Sequence, residues 1–392
     1  MRRVLMAAAS LAAVLGAAGA NAQAAVRVAD VPGASGRAVS IVAAGRLADG
    51  GAIVAGTLTP RGSRPRVLVM RLRHDGLVDT SFGDAGVVRV QLSRGSGRRG
   101  SSATAVAVDP ERGRAWIGAS IGSERAGAVL ALDSRGRRVH GFGSNAVVRF
   151  AGSSTAPAAI AFGGGRLAVA ATTRPCRGCQ VLLLDPRSGR REAQAALAPV
   201  AGADAASCAG AQLTSLALVG DDRLVLGGSG DAACPARVVV RDGALRPIAE
   251  WDPGEAGART VVAAAGAPLD LCAGIESAGA ARLVRVAAGS AAPTPATATL
   301  PARTSAPVTG SIAGVVALGA GGCGALLLRA GKPARVLQAG TGGAPSVVEL
   351  PARLRAGAIS RCKRHVLVIG TRRTGGVVRA AVAVTAIVSG GV

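Results

Sequence analysis

Residues 66–90 read RVLVMRLRHDGLVDTSFGDAGVVRV, and sixty residues later the chain reads AGAVLALDSRGRRVHGFGSNAVVRF. Gly76, Phe82, Gly83, Val87, Val88 and Arg89 return as Gly136, Phe142, Gly143, Val147, Val148 and Arg149. A repeat longer than one hairpin and shorter than a domain is a supersecondary unit that can bury its apolar faces only against copies of itself. That requirement constrains the architecture strongly and says nothing about a ligand.

The unit can be followed along the chain as successive apolar runs closed by a glycine turn. Gly76, Gly136, Gly189, Gly243, Gly289 and Gly331 fit that pattern, at steps of 60, 53, 54, 46 and 42 residues. Before them lie Val67 to Leu72, Ala128 to Leu132, Val181 to Leu184, Arg237 to Val240, Leu283 to Val286 and Ala325 to Leu328, each read as the third run of its unit, a central strand. Such lengths suit four short antiparallel strands per unit, and no long stretch carries the 3.6-residue period of a helical repeat. The sequence therefore predicts an all-β fold, a β-propeller of seven four-stranded blades.

The seventh unit begins near Leu354 and runs out of chain before its fourth strand. Ala25-Val26-Arg27-Val28 repeats the fourth-strand pattern of Val87 to Val90, so the N-terminal segment is predicted to complete the last blade and close the ring, which removes unpaired edges. The segment from Ser290 to Pro307, rich in Pro, Ala and Thr, is either a long loop in blade five or a linker. The expected organisation is a signal peptide over 1–24 and a single propeller domain over 25–392.

Arg2 and Arg3 precede an apolar run that ends in small residues, and two overlapping A-x-A sites place cleavage at Gln23 or Ala25. No later stretch supplies the roughly 18 to 20 apolar residues of a membrane span. A secreted, extracytoplasmic bacterial protein is expected. Removing Arg2 and Arg3 takes the formal charge from +24 to +22, enough to attract polyanions within the screening length of about 8 Å. Only Lys332 and Lys363 interrupt a cationic set otherwise made of Arg, and Tyr is absent, so codon bias in GC-rich DNA accounts for part of this charge.

Asp75-Gly76-Leu77-Val78-Asp79-Thr80-Ser81-Phe82-Gly83, followed by Gly86, resembles the delta-60 repeat family of bacterial propeller-like proteins, whose pattern is close to D-G-x-L-D-x-S-F-G-x-x-G. Blade two keeps Gly136, Phe142 and Gly143 but has Arg135 in place of the turn Asp. The resemblance covers about residues 37–150 and implies a fold and a secreted setting, with no catalytic residue to carry over. In physical terms Asp-Gly makes a tight turn, and Phe82 and Phe142 are expected to plug the space between blades.

The chemistry-like motifs have plainer readings. Gly118-Ala119-Ser120-Ile121-Gly122 spells G-x-S-x-G but falls inside a strand rather than at a strand-to-helix elbow. Gly319-Ala320-Gly321-Gly322-Cys323-Gly324 is followed by too short a run for a dinucleotide-binding helix and reads as a hairpin of blade six. His74, His140 and His365 fall in different blades with no paired carboxylate. Neither an H-E-x-x-H nor a calcium loop occurs, so no catalytic residue, metal ligand or cofactor is assigned. Seven cysteines in an exported chain point to disulfides with one thiol left over. Cys208 with Cys234, and the C-x-x-C of Cys176 and Cys179, are the candidates; Cys272, Cys323 and Cys362 stay open.

Charge placement carries the functional hint. Loops joining second to third strands, and each fourth strand to the next blade, share one face of a propeller. That face collects Arg37, Arg61, Arg64, Arg66, Arg94, Arg98, Arg99, Arg125, Arg174, Arg177, Arg372 and Arg373 with few acids. The opposite turns mix Asp49, Asp75, Asp109, Asp133 and Asp242 with their own arginines and should be nearly neutral. The expectation is a binding or scaffold protein whose partner is an anionic envelope polymer, a polysaccharide or phosphate polymer held by guanidinium groups, or another envelope protein. Nucleic acid fits poorly because stacking aromatics are missing from these loops. The alternative is a propeller enzyme, a hydrolase, lyase or quinone-dependent dehydrogenase, whose site would bring His and carboxylates together at the central channel.

Overall fold

The computed structural model describes residues 25–29, 38–93, 100–122, 126–150, 156–172, 180–196, 212–219, 223–229, 238–251, 259–265, 270–277, 280–287, 298–299, 302–304, 308–309, 311–319, 322–339, 346–362, 365–374 and 377–386. Their strands form seven antiparallel four-stranded blades in a ring, a seven-bladed β-propeller. Blade one is Ala38–Arg46, Ala52–Thr59, Arg66–Leu72 and Val87–Val90 from the channel outward. Blade seven takes Leu354–Cys362, His365–Thr374 and Val377–Ala386 from the C-terminal end of the chain and Ala25–Ala29 from the other. The register runs from Ala25 opposite Val384 to Ala29 opposite Ala380, so the ring is closed by the strand predicted to close it.

The strands form because both of their faces are buried. In the second strand of blade one, Ala52 and Val54 pack toward blade seven while Ile53 and Ala55 pack toward blade two. In the third, Leu68, Met70 and Leu72 face the first direction and Val67 and Val69 the second. Period-two alternation thus sends each strand's side chains into two different cores. Among the described residues the seven hydrophobic clusters coincide with the seven interfaces between neighbouring blades. Phe82 and Phe142, both fully buried, are the plugs of the first-to-second and second-to-third interfaces. Six of the inner strands carry a β-bulge near their third residue, between Ile41 and Ala43 in blade one and between Ala356 and Ala358 in blade seven. A bulge adds local twist and lets the strand bend around the channel.

The turns after the third strands of blades two and three each lock onto the preceding blade. The Gly83 N–H donates to Arg135 O at 2.8 Å, and the Gly143 N–H to Ser188 O at 2.8 Å. Gly136 adopts φ +77°, and a Cβ there would lie 2.9 Å from the Gly83 nitrogen, so the repeated glycine serves both the left-handed turn and the close approach of the preceding blade.

The repeat differs from its sequence reading in three places. Gly331 closes the hairpin between Gly322–Arg329 and Lys332–Ala339, the second and third strands of blade six, so Ala325 to Leu328 is a second strand rather than a third. The short final step of the glycine series reflects that slip. In blade four the turn residue is Leu245, φ +64°, whose N–H donates to Asp242 O, and not Gly243. The stretch around 290–307 contributes Ala302–Thr304 as the outer strand of blade five, antiparallel to Ala280–Ala287, while Ala298–Thr299 pairs in parallel with blade four.

Cys272 and Cys323 form a disulfide with Cα atoms 5.5 Å apart, joining the second strand of blade five to that of blade six. An intramolecular disulfide is consistent with an extracytoplasmic setting. Cys176, Cys179, Cys208 and Cys234, and the proposed signal peptide, lie outside the described residues. Closing 51 residues of chain contributes about 4 kcal/mol on the loop-entropy estimate. A Cys272→Ala/Cys323→Ala protein should therefore melt about 5–10 °C lower by differential scanning calorimetry. An unchanged midpoint would show that the ring does not depend on this staple.

Candidate functional site: the arginine-bearing face

Blade one presents Arg61 and Arg64 from the turn between its second and third strands, and Arg66 at the start of the third. Blade seven presents Arg372 and Arg373 near the end of its second strand, where that strand reaches the same face. The two blades are neighbours across the cluster containing Val39, Ile41, Ala358, Ile369 and Val382. Arg353 and Arg355 flank the start of the inner strand of blade seven and join the group. They were legible only as the opening of the seventh unit. Gly370 shapes this corner, because a Cβ there would sit 2.2 Å from Arg355 O, and its absence lets the two strands close beside the bulge. Arg61, Arg66, Arg355 and Arg373 are exposed, and the Nε of half-buried Arg372 has no hydrogen-bond partner among the described residues. A shallow cavity of about 790 Å³ opens between Arg64, Arg66 and Gln91. Arg37, Arg94, Arg98, Arg99, Arg125, Arg174 and Arg177 lie outside the described residues.

The electrostatic contrast between sectors is sharp. No Asp or Glu occurs between residues 350 and 392 or between 50 and 74, the segments that carry these arginines. In blade six, on the same face, Arg329 and Arg335 share Glu349 at 2.6 and 3.5 Å. On the opposite face three arginines are paired at the turns: Arg71 with Asp49 and Asp79 at 2.9 and 3.1 Å, Arg137 with Asp133 at 2.9 Å and Arg246 with Asp242 at 2.8 Å.

Those turns share a signature that lies outside the glycine repeat. Asp133 accepts the N–H groups of Arg135 and Arg137, and Asp242 those of Ala244 and Arg246, while the following guanidinium closes back on the same carboxylate. Asp185 caps the corresponding turn of blade three. The spacing D-S-R-G at Asp133 was the available signal; blade one reverses it, with Arg73 first and Asp75 third. Hence Arg135 does not cost blade two its turn.

These carboxylates titrate low. The Arg73 hydrogen bond to Asp75 holds its pKa at about 2, against a smaller opposing effect of desolvation. For Asp133 and Asp242, burial is the largest single influence and raises the pKa, but the N–H and guanidinium donors together outweigh it and leave both lowered. A depressed folded-state pKa contributes stability above the unfolded value, near 3.9, that is lost as pH falls through the folded one. The melting temperature should accordingly hold from neutrality to about pH 4 and fall between about pH 4 and 2, with Asp133→Asn and Asp242→Asn flattening the decline. A melting temperature independent of pH across that window would contradict the turn chemistry.

At the channel mouth on the paired face is a cavity of about 570 Å³, lined by Val106, Ala161, Ala217, Val262 and Val315 with Arg46 and Glu111 among its polar residues. His74, His140 and His365 are exposed on blades one, two and seven, and none lines this cavity. Among the described residues no three His, Cys, Asp or Glu side chains gather as a metal site, and no helix is long and apolar enough to cross a membrane. Gly118 to Ile121 lie in the second strand of blade two, and Gly319 pairs with Gly322 in an antiparallel hairpin, so neither motif has the setting its chemistry needs.

No protein-family model matches the chain, and no curated protein matches it by sequence. Solved structures do. The WD40 domain of coronin from Toxoplasma gondii superposes with a TM-score of 0.51 at 10% identity, over 93% of this chain and 89% of that one. A structure from work on two prolyl endopeptidases superposes with a TM-score of 0.51 at 16% identity over 86% of this chain, which spans 46% of that protein's length. At these identities the likeness is one of fold.

Proposed function

We propose that the chain is an extracytoplasmic binding or scaffold propeller that holds an anionic polymer of the cell envelope, an acidic polysaccharide or polyphosphate, against the face formed by blades seven and one. The observation that carries this reading is a contrast of charge: one corner gathers Arg61, Arg64, Arg66, Arg353, Arg355, Arg372 and Arg373 without an acid in the flanking sequence, whereas Arg71, Arg137 and Arg246 of the opposite turns are ion-paired. Guanidinium groups are planar, permanently charged and suited to bidentate contact with phosphate or carboxylate. A polymer that bridges several of them binds through many weak contacts whose sum falls steeply with salt. The delta-60 resemblance of blade one fits a secreted setting of this kind.

The test is affinity for polyphosphate and for polygalacturonate, with dextran as the neutral control, at several salt concentrations. Arg61→Ser/Arg66→Ser/Arg373→Ser should weaken binding about tenfold or more at physiological ionic strength, on the basis of roughly 0.5–1 kcal/mol per exposed pair. A control triple, Arg112→Ser/Arg137→Ser/Arg246→Ser, removes the same charge from the paired face and should bind nearly as well as wild type. Equal losses in the two triples would reduce the effect to net charge and end the proposal.

A further inference from the structure

The internal repeat provides its own control for a second site, on the rim of the ring. A groove of about 610 Å³ runs along the outer strand Val147–Arg149 of blade two, bounded by the third-to-fourth-strand turn of blade three and by residues that follow the outer strand of blade one. Arg138, Arg149 and Arg190 line it, together with Ser144 and Asn145, and no Asp or Glu does among the described residues.

The equivalent place one blade earlier is neutralised. There Arg89 is paired with Asp84 at 3.3 Å, Arg137 with Asp133 at 2.9 Å, and the third position is Val78, packed against the apolar cluster between blades seven and one. In the second copy Asp84 is replaced by Ser144, Val78 by Arg138, and Arg137 by Arg190, counting from the repeated turn glycines Gly136 and Gly189. Asp185 does not take up the charge, because it is turned to the N–H groups of Arg187 and Ser188 and to the Ser188 hydroxyl. Arg149 donates to Leu92 O at 2.7 Å, while the guanidinium groups of Arg138 and Arg190 make neither a hydrogen bond nor an ion pair among the described residues. Abundant arginine codons account for added arginines but not for an aspartate replaced by serine. Arg138 and Arg190, like charges on one concave wall, repel each other, a cost that a bound anion removes.

We infer that this groove is a binding site for an acidic sugar, a saccharide unit bearing a carboxylate or a phosphate. The cationic wall takes the oxyanion by charge-assisted hydrogen bonds. Ser144 and Asn145 offer a hydroxyl and an amide to sugar hydroxyls, and the volume is in the range of a pocket for a small ligand. No aromatic ring lines the groove, so a nucleobase finds no stacking surface there. The site lies on the rim and uses none of the arginines assigned to the polymer-binding face, so the two stand or fall separately.

Isothermal titration with digalacturonate, glucose 6-phosphate, inorganic phosphate and maltose tests it on the full-length protein. Digalacturonate, glucose 6-phosphate or both should bind at least tenfold more tightly than inorganic phosphate or maltose, and the arm that binds identifies the anion. Ser144→Asp with Arg138→Val, which copies the chemistry of blade one onto blade two, should weaken that binding at least tenfold with an unchanged melting temperature. Arg190→Gln should lower it severalfold, and the Arg61/Arg66/Arg373 triple should leave it intact. Absence of binding by both acidic sugars, inorganic phosphate binding as well as they do, or full affinity in the Ser144→Asp/Arg138→Val protein would each overturn the assignment.

Discussion

Deleting residues 25–29 is expected to lower the melting temperature by about 10 °C and to shift the protein toward aggregates in size-exclusion chromatography. Those residues pair along Ala380 to Val384, and losing a ladder of this length removes about 3–5 kcal/mol at roughly 1 kcal/mol per hydrogen bond. The deletion also leaves the outer edge of Val377–Ala386 unpaired, an open template for a second chain. A rearranged protein that begins after Ala29 and carries 25–29 after Val392 should recover both properties, since Ala25 needs only to reach Val384 across the segment 387–392. Wild-type melting in the deleted protein would mean that the ring holds without its closing strand, and failure of the rearranged protein would mean that chain order, not pairing, matters.

Phe142→Ala should cost about 3–5 kcal/mol in urea denaturation. The ring is fully buried among Trp116, Val129, Leu167, Leu182 and Leu184, at an interface where no neighbouring side chain is free to collapse into the void. Phe82→Ala should behave alike at the preceding interface. Leu77→Ala is the control from the same turn in blade one; Leu77 is 41% exposed, and its truncation should stay within about 0.5 kcal/mol. Similar losses for Phe142 and Leu77 would remove the case for the aromatic plug.

Much of this was legible before any coordinates. Phe82 and Phe142 announce themselves because a bulky aromatic recurring at fixed spacing in a chain with little other aromatic content has to fill a recurrent space. Ala25 to Val28 could be assigned to blade seven because a fourth-strand pattern was left over at one end of the chain and missing at the other. The turns were harder. Leu245 holds the conformation that glycine holds elsewhere, anchored by burial at the interface between blades three and four, so a search for glycine slid to Gly243. In blade six the second strand has the same apolar composition as a third strand, and Gly331 is a valid turn residue after either.

The candidate sites divide in the same way. The side on which Arg61, Arg64, Arg66, Arg372 and Arg373 emerge followed from strand order alone, because alternate connections of a blade must emerge on opposite sides. The partnership of each arginine did not. Arg137 and Arg190 occupy matching positions after a turn glycine, yet one closes on an aspartate and the other does not, and only the geometry of each turn separates them. Cys272 and Cys323 meet for a related reason: they stand on second strands of adjacent blades, 51 residues apart, at a register set by how two sheets pack. Alternation, turn rhythm and the closing strand were determined by the sequence itself, since each is a pattern of near neighbours along the chain. Disulfide pairing, the arginine corner and the rim groove were decided by the ring, since each depends on which turn of one blade comes to rest against which strand of the next.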